Sequence, residues 1–452
     1  MINIDQIKAI KIILETLWLA ALVGIPLIAM PYTSVMAESS ISHVEVPKVV
    51  LLRILITLMV IVILWEIFLT KDLRTFQLKP SIKHFYSRIK QNHYLWPLIA
   101  ILSIGVSTLI ATLFSTSFQT SLWGAIPKQD GHSLVNTFSY LVLFAIIASH
   151  VKTRPQANRL VISIIALGIM LGILGIVQNL GYDLLQLLGD ASMRRIPITM
   201  GNPIFAASAL CLTISTSLIV CSVTTYKMRT HNLHKLYHTI SWSLIISIQI
   251  IGLIYTLSRG AWVSVALLTC ILCVGISICI GWRVALKLSV IVAISMIISV
   301  CAILITEDNN ARTTSQIRDR VSSIQSEVLT GDLNQRIPIW SSAWEIGVLR
   351  PWFDDQVAPN KLLTIITGYG PDMFRFAFAL NSPLNRFEDY LPIEAHNAHN
   401  LFLHQLVEQG IIGMLSSLLL FVSIVIASVL LLIKKDTRVS IEYKIVVIGI
   451  IA

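Results

Sequence analysis

What most limits the fold of this chain is the recurrence, over nearly its whole length, of apolar runs long enough to cross a lipid bilayer. A hydrocarbon core is roughly 30 Å thick and a helix rises about 1.5 Å per residue, so about 20 apolar residues reach across. Such runs are read at 10–30, 49–69, 95–114, 133–150, 159–179, 201–222, 239–257, 260–280, 284–305 and 409–433. An eleventh opens at Tyr443 and stops at Ala452 before it could cross, as expected of a fragment of a longer protein. So many runs exclude a single signal sequence. With 55% hydrophobic and 13% charged residues, the composition agrees. The expected fold class is all-α, a polytopic membrane helix bundle.

A net charge of +10 raises the question of nucleic acid, and the placement of the basic residues answers it. Every second connection is the basic one: Lys71 to Lys90 after the second run, Lys152, Arg154 and Arg159 after the fourth, Lys227, Arg229 and Lys235 after the sixth, Arg283 and Lys287 after the eighth, Lys434, Lys435 and Arg438 after the tenth. That alternation fits the positive-inside rule with a cytoplasmic N-terminus. The partners implied are membrane lipids and not nucleic acid. The long segment 306–398 then falls outside, where acidic residues outnumber basic ones. The six cysteines lie in or beside the runs, where thiols act as small apolar side chains; Cys270-x-x-Cys273, inside a lipid-length run and without a second pair, is a poor metal or redox motif.

Segment 306–398 is too long for a plain connection and too rich in apolar and aromatic residues for a disordered tail. Ile317, Val321, Ile324 and Val328 follow helical spacing; "RIPIWSSAWEI" from Arg336 begins a second helix; "GYGPDMFRFAFAL" reads as a glycine-rich turn and a third helix with Pro371 near its start. Trp340, Trp344 and Trp352 suit interfacial depth, and for most of this segment a structural cap over the bundle is the simplest role.

Titratable residues gather in "EAHNAHNLFLHQLVEQGIIGM", residues 394–414. If Asn397 caps a helix extending to Gly410, His399 falls in its first turn, where the positive end of the dipole disfavours imidazolium and favours a neutral ring able to accept a proton. On residue chemistry alone three roles stay open for His399: general base, structural hydrogen bonding, and metal ligation with His396 or His404, whose spacings of three and five do not form a helical His-x-x-x-His pair. In "YTLSRGAWVSV", Arg259 stands at a junction between two apolar runs with no carboxylate near in sequence, which suits either function or snorkelling to the surface. Lys128, His132, Arg194, Arg195 and Arg336 are expected on the same side, and several cations converging on one anion would suit a diphosphate.

On these residues the sequence resembles the bacterial O-antigen ligase and polymerase superfamily. His399-Asn400, nine residues, then Gly410-Ile411-Ile412-Gly413 match the ligase pattern His-Asn/Ser/Gln-x9-Gly-x-x-Gly. Supporting stretches, in the shared order, are "WGAIPKQDG" at 123–131, "MGNP" at 200–203 with Asn202, "SRGA" at 258–261 with Ser258 and Gly260, "RIPIWSSAW" at 336–344 and "GYGPDMF" at 368–374. The resemblance covers most of the chain from about residue 100.

The resemblance implies a glycosyltransferase of the C type with a large helical extracytoplasmic loop, metal-independent and without cofactor. It would move a glycan from undecaprenyl diphosphate to an acceptor hydroxyl on the outer face of the bacterial cytoplasmic membrane, the acceptor being lipid A-core, a glycan or a protein. His399 matches the family's catalytic base, Arg259 its diphosphate-binding arginine and Arg336 the arginine of its outer loop; Arg195 and Lys128 would add to the diphosphate site, Lys128 standing where relatives more often have arginine. The expected division is a transmembrane bundle over 1–305, an extracytoplasmic loop domain over 306–398, and a part over 399–452 with the His-bearing helix, the tenth span and the start of an eleventh. A polymerase or a protein O-oligosaccharyltransferase would carry the same motifs. A flippase would place polar residues along the interior of several spans, whereas here the runs are nearly clean.

Overall fold

A computed structural model describes residues 4–31, 42–70, 95–124, 131–182, 195–228, 232–307, 318–319, 322, 336–349, 361–381, 395, 397–433 and 441–452. All regular structure among them is helical. In chain order the helices are α1 (Ile4–Leu27), α2 (Ser42–Thr70), α3 (Trp96–Leu113), α4 (Phe118–Trp123), α5 (Leu134–His150), α6 (Arg154–Asn179), α7 (Pro203–Lys227), α8 (Asn232–Tyr255), α9 (Arg259–Cys279), α10 (Trp282–Glu307), α11 (Arg336–Leu349), α12 (Lys361–Thr367), α13 (Phe374–Asn381), α14 (Leu401–Ile433) and α15 (Ile441–Ile451).

Nine of these, α1, α2, α3, α6 to α10 and α14, are long and apolar enough to cross a membrane. The protein is a multi-pass membrane protein. Each of the ten apolar runs read from the sequence lies on a helix, α5 being the short one at 17 residues, and the run opening at Tyr443 lies on α15. Local sequence explains several starts. Thr153 and Gln156 form a reciprocal capping box at α6, with Pro155 in the first turn. Asn202 caps α7 through its Oδ1, which accepts the N–H of Ile204 at 2.8 Å.

The described chain divides into two compact units: residues 1–63, 149–326 and 428–452 form the first, residues 64–148 and 327–427 the second. In the first, α6, α7 and α8 pack on one another, α9 and α10 pack on this group, α15 lies against α7 and α9, and α1 lies against α6. Lipid supplies no hydrophobic drive for helix association, so close backbone approach and interhelical hydrogen bonds take its place. Both occur. Gly172 of α6 meets α8 so tightly that a Cβ there would stand 2.5 Å from the carbonyl oxygen of Ile248. Between α8 and α10, Ser243 donates to the carbonyl of Ile291 (3.4 Å), while the hydroxyls of Ser247 and Ser299, which donate at shorter range within their own helices, are shared with the carbonyls of Ser295 (3.1 Å) and Ser247 (3.4 Å) across the seam. At the end of α1, the Lys48 ammonium donates to the carbonyls of Ile25, Pro26 and Ile28 at 3.1, 2.6 and 2.9 Å, satisfying groups a helix end leaves open.

The second unit is built from the end of α2, α3 to α5, α11 to α13 and α14 as far as Ala427. Its core holds Ile339, Ala343 and Ile346 of α11, Phe374 and Phe378 of α13, Tyr369 of the glycine-rich turn, and Ala398 and Val407 at the start of α14. The helix expected from Arg336 is present as α11, and the third expected helix follows the glycine-rich turn as α13, beginning at Phe374, three residues after Pro371. The heptad-like run at 317–328 lies almost wholly outside the described residues, as does Trp352.

Candidate active site

The segment quoted above folds differently from the simplest reading of its caps. It is Asn400, not Asn397, that caps the helix: its Oδ1 accepts the N–H groups of Phe402 (3.0 Å) and Leu403 (3.3 Å), and α14 begins at Leu401. His399 is therefore not in a first helical turn. It sits just ahead of the cap with φ +51°, a left-handed conformation uncommon outside glycine though commoner for His, Asn and Asp than for most residues. The competing rule is simple: either asparagine can cap, and the one at 397 is used instead to accept the N–H of His399 at 3.0 Å. Asn400→Ala should lower stability by about 1 kcal/mol, read as an earlier thermal unfolding midpoint in detergent.

The main chain around His399 is held while its ring is exposed. Trp340 Nε1 donates to the carbonyl of Ala398 at 3.0 Å, and Ala395 and Ala398 are buried in the core of the second unit. His399 itself is exposed. A side chain fixed at its root and presented outward on a left-handed residue is an arrangement found at functional sites, where packing over-determines a strained backbone.

Further along, α14 bends sharply. Gly410 has φ +66° and ψ −160°, a region only glycine enters readily, so the helix consists of two parts that meet there. The bend removes intrahelical donors from the carbonyls of the preceding turn, and the glycine-rich turn at 368–370 replaces them: the N–H of Tyr369 donates to Val407 O at 3.0 Å and that of Gly370 to Glu408 O at 2.8 Å. The approach is close from both sides. A Cβ on Gly368 would lie 2.3 Å from the carbonyl of Glu408, and one on Gly410 would lie 2.3 Å from the carbonyl oxygen of Ile366. Gly413 stands against Gln409, whose Oε1 accepts the Ser107 hydroxyl at 3.0 Å. Two stretches noted separately in the sequence, "GYGPDMF" and Gly-x-x-Gly, thus form one docking point.

Beside that point lies a polar cluster that sequence reasoning missed. His404 and Glu408 share a face of α14, and His132, two residues ahead of α5, brings its ring to 4.4 Å from that of His404. Glu408 Oε1 accepts the N–H of Phe374 at 3.3 Å, and the Phe374 ring lies 5.0 Å from the His404 ring. Burial, and then the neighbouring His404, push His132 below the ordinary histidine range, against the pull of Glu408. The only signal in the sequence was the His-x-x-x-Glu spacing on a helix.

In the first unit, Arg195 and Arg259 come to one bend. Arg195 Nε donates to the carbonyl of Thr256 at 3.1 Å, and the N–H of Ile196 donates to Tyr255 O at 3.3 Å. Leu257 has φ +51°, Ser258 is extended, and Arg259 is the first residue of α9, with open space where a Cβ on Gly260 would stand. Arg336 opens α11 in the second unit. Its side chain, and residues Lys128, Arg194 and His396, lie outside the described residues.

Residues 243–418 match the model of the O-antigen ligase family. Over this stretch the chain is similar to the O-antigen ligases. The stretch runs from α8 to the second part of α14 and contains Arg259, Arg336, His399, Asn400, Gly410 and Gly413; Lys128, Arg195 and Asn202 precede it. The resemblance to the O-antigen ligase and polymerase superfamily is borne out over it. No curated protein and no solved structure matches the chain. Within the matched stretch, the His-Asn pair is an exposed histidine with its helix cap, and the Gly-x-x-Gly pair is the bend with its packing contact.

Proposed function

We propose that the protein is an inverting membrane glycosyltransferase that moves a glycan from undecaprenyl diphosphate to an acceptor hydroxyl on the outer face of the cytoplasmic membrane. The observation that carries this reading is the exposed His399 ring on a main chain pinned by Asn397, Trp340 and the Asn400 cap, inside the stretch similar to the O-antigen ligases. In this mechanism the acceptor O–H gives its proton to a ring nitrogen of His399 while the oxygen attacks the anomeric carbon. The C–O bond to the diphosphate breaks on the opposite face, and the configuration inverts. Arg259 and Arg336, helped by Arg195 and Lys128, offset the charge growing on the departing diphosphate, which fixed guanidinium groups do without reorganising.

The Arg195–Thr256 contact supports this reading, because it stiffens the bend from which Arg259 emerges. The test incubates the purified full chain with a lipid-linked oligosaccharide and candidate acceptors, without added Mg²⁺ or Mn²⁺, and identifies the conjugate by mass spectrometry. A glycan joined to lipid A-core, to a second repeat or to a protein hydroxyl is the expected result, and its identity separates ligase, polymerase and protein-glycosylating activities. No conjugate with any acceptor, together with movement of the intact donor across vesicles, would replace the transferase reading by a flippase.

A further inference from the structure

We propose that His132, His404 and Glu408 form a binding site for a divalent transition metal of the zinc class, which ties the first part of α14 to the segment ahead of α5. Three potential ligand atoms, one from each residue, lie within 4.8 Å of one another. Two imidazoles and a carboxylate are a common zinc donor set, with a fourth position taken by water. His404 and Glu408 are four residues apart on a helix, so both point to one side, and the third donor comes from a distant part of the chain, as chelation requires.

The strongest indication is what these groups lack. His404 is 2% exposed and Glu408 is 1% exposed, yet neither ring nitrogen of His404 nor Oε2 of Glu408 has a hydrogen-bond partner among the described residues. Buried polar atoms are nearly always satisfied, yet here His404 Nδ1 has no partner and Nε2 and Glu408 Oε2 face only each other, as an ion pair. His404 Nε2 and Glu408 Oε2 stand 3.3 Å apart. Two ligands at roughly 2.0–2.1 Å from a tetrahedral zinc stand about 3.3 Å apart, so this pair already has the spacing of a coordination edge. The other carboxylate oxygen is anchored by the Phe374 N–H, an outer-shell contact of the kind that orients a ligand. The role assigned is structural, no step of the transfer chemistry is routed through the ion, and the inference stands apart from the glycosyltransferase reading.

The full chain, purified in detergent and stripped with a chelator, is equilibrated with micromolar zinc(II), desalted and its metal content measured by mass spectrometry. Thermal unfolding is followed with and without zinc. The expected result is one tightly held zinc per chain and a higher unfolding midpoint with zinc. His404→Ala and Glu408→Gln should lower the affinity at least 10-fold and remove the zinc-dependent shift. His132→Asn, outside α14, should do the same, and serves if the buried variants fail to fold. Wild type without stoichiometric zinc, or variants that bind it as tightly as wild type, would overturn the site. Because the readout is metal content, an absence of transferase activity leaves this result unaffected.

Discussion

His399→Ala is expected to abolish glycan transfer, lowering turnover by about 10²–10⁴-fold, the usual contribution of a positioned general base. In the proposed mechanism the ring acts on the acceptor proton while the cations hold the diphosphate, so the loss should fall on turnover and not on donor binding. Alanine also carries a backbone cost at φ +51°, so His399→Asn is the better partner variant: asparagine tolerates the left-handed region, yet offers no basic nitrogen. Both variants should elute as monodisperse protein with near-native unfolding midpoints and both should be inactive. Activity within a few-fold of wild type in His399→Asn would remove His399 from the mechanism, whatever alanine does.

The second large effect is expected on the fold. Gly410→Ala puts a methyl group 2.3 Å from the carbonyl oxygen of Ile366 and 2.7 Å from the nitrogen of Gly368, on a residue whose φ and ψ only glycine adopts readily. The neighbours are main chain, so no side-chain rotation relieves the overlap. The bend must open, and opening it strips donors from the carbonyls of Val407 and Glu408. A loss of about 3 kcal/mol or more is expected from the strain and the broken hydrogen bonds together. The measurement is the yield of folded protein and its unfolding midpoint in detergent. A variant with the wild-type midpoint would show that the bend at 410 is not needed.

Much of the fold was legible because lipid enforces a simple rule: a predominantly apolar run of spanning length becomes a helix, and each of the ten runs lies on one. The ends were harder to read. Asn397 and Asn400 are equally good caps in sequence, and the choice was made by packing, with Ala398 buried and its carbonyl held by Trp340. The helix read as extending to Gly410 and the run at 409–433 correspond to the two parts of α14 that meet at Gly410, but the contact of that break with the distant 368–370 turn had no local signal. α12 went unread because at seven residues it offers too little periodicity. As for the candidate site, the motif singled out His399 and Asn400, but the meeting of His132 with His404 depends on tertiary folding that no local pattern encodes.

The serine seam between α8 and α10 bears on how this protein can change over time. Its acceptors are main-chain carbonyls at 247, 291 and 295, which any replacement would still carry. Position 291 can therefore drift among residues of similar bulk without breaking the link, whereas Ser243, Ser247 and Ser299 supply the hydroxyls. Sequence constraint on this pair of helices should be lopsided, heavier on the donor positions than on the partners that receive from them.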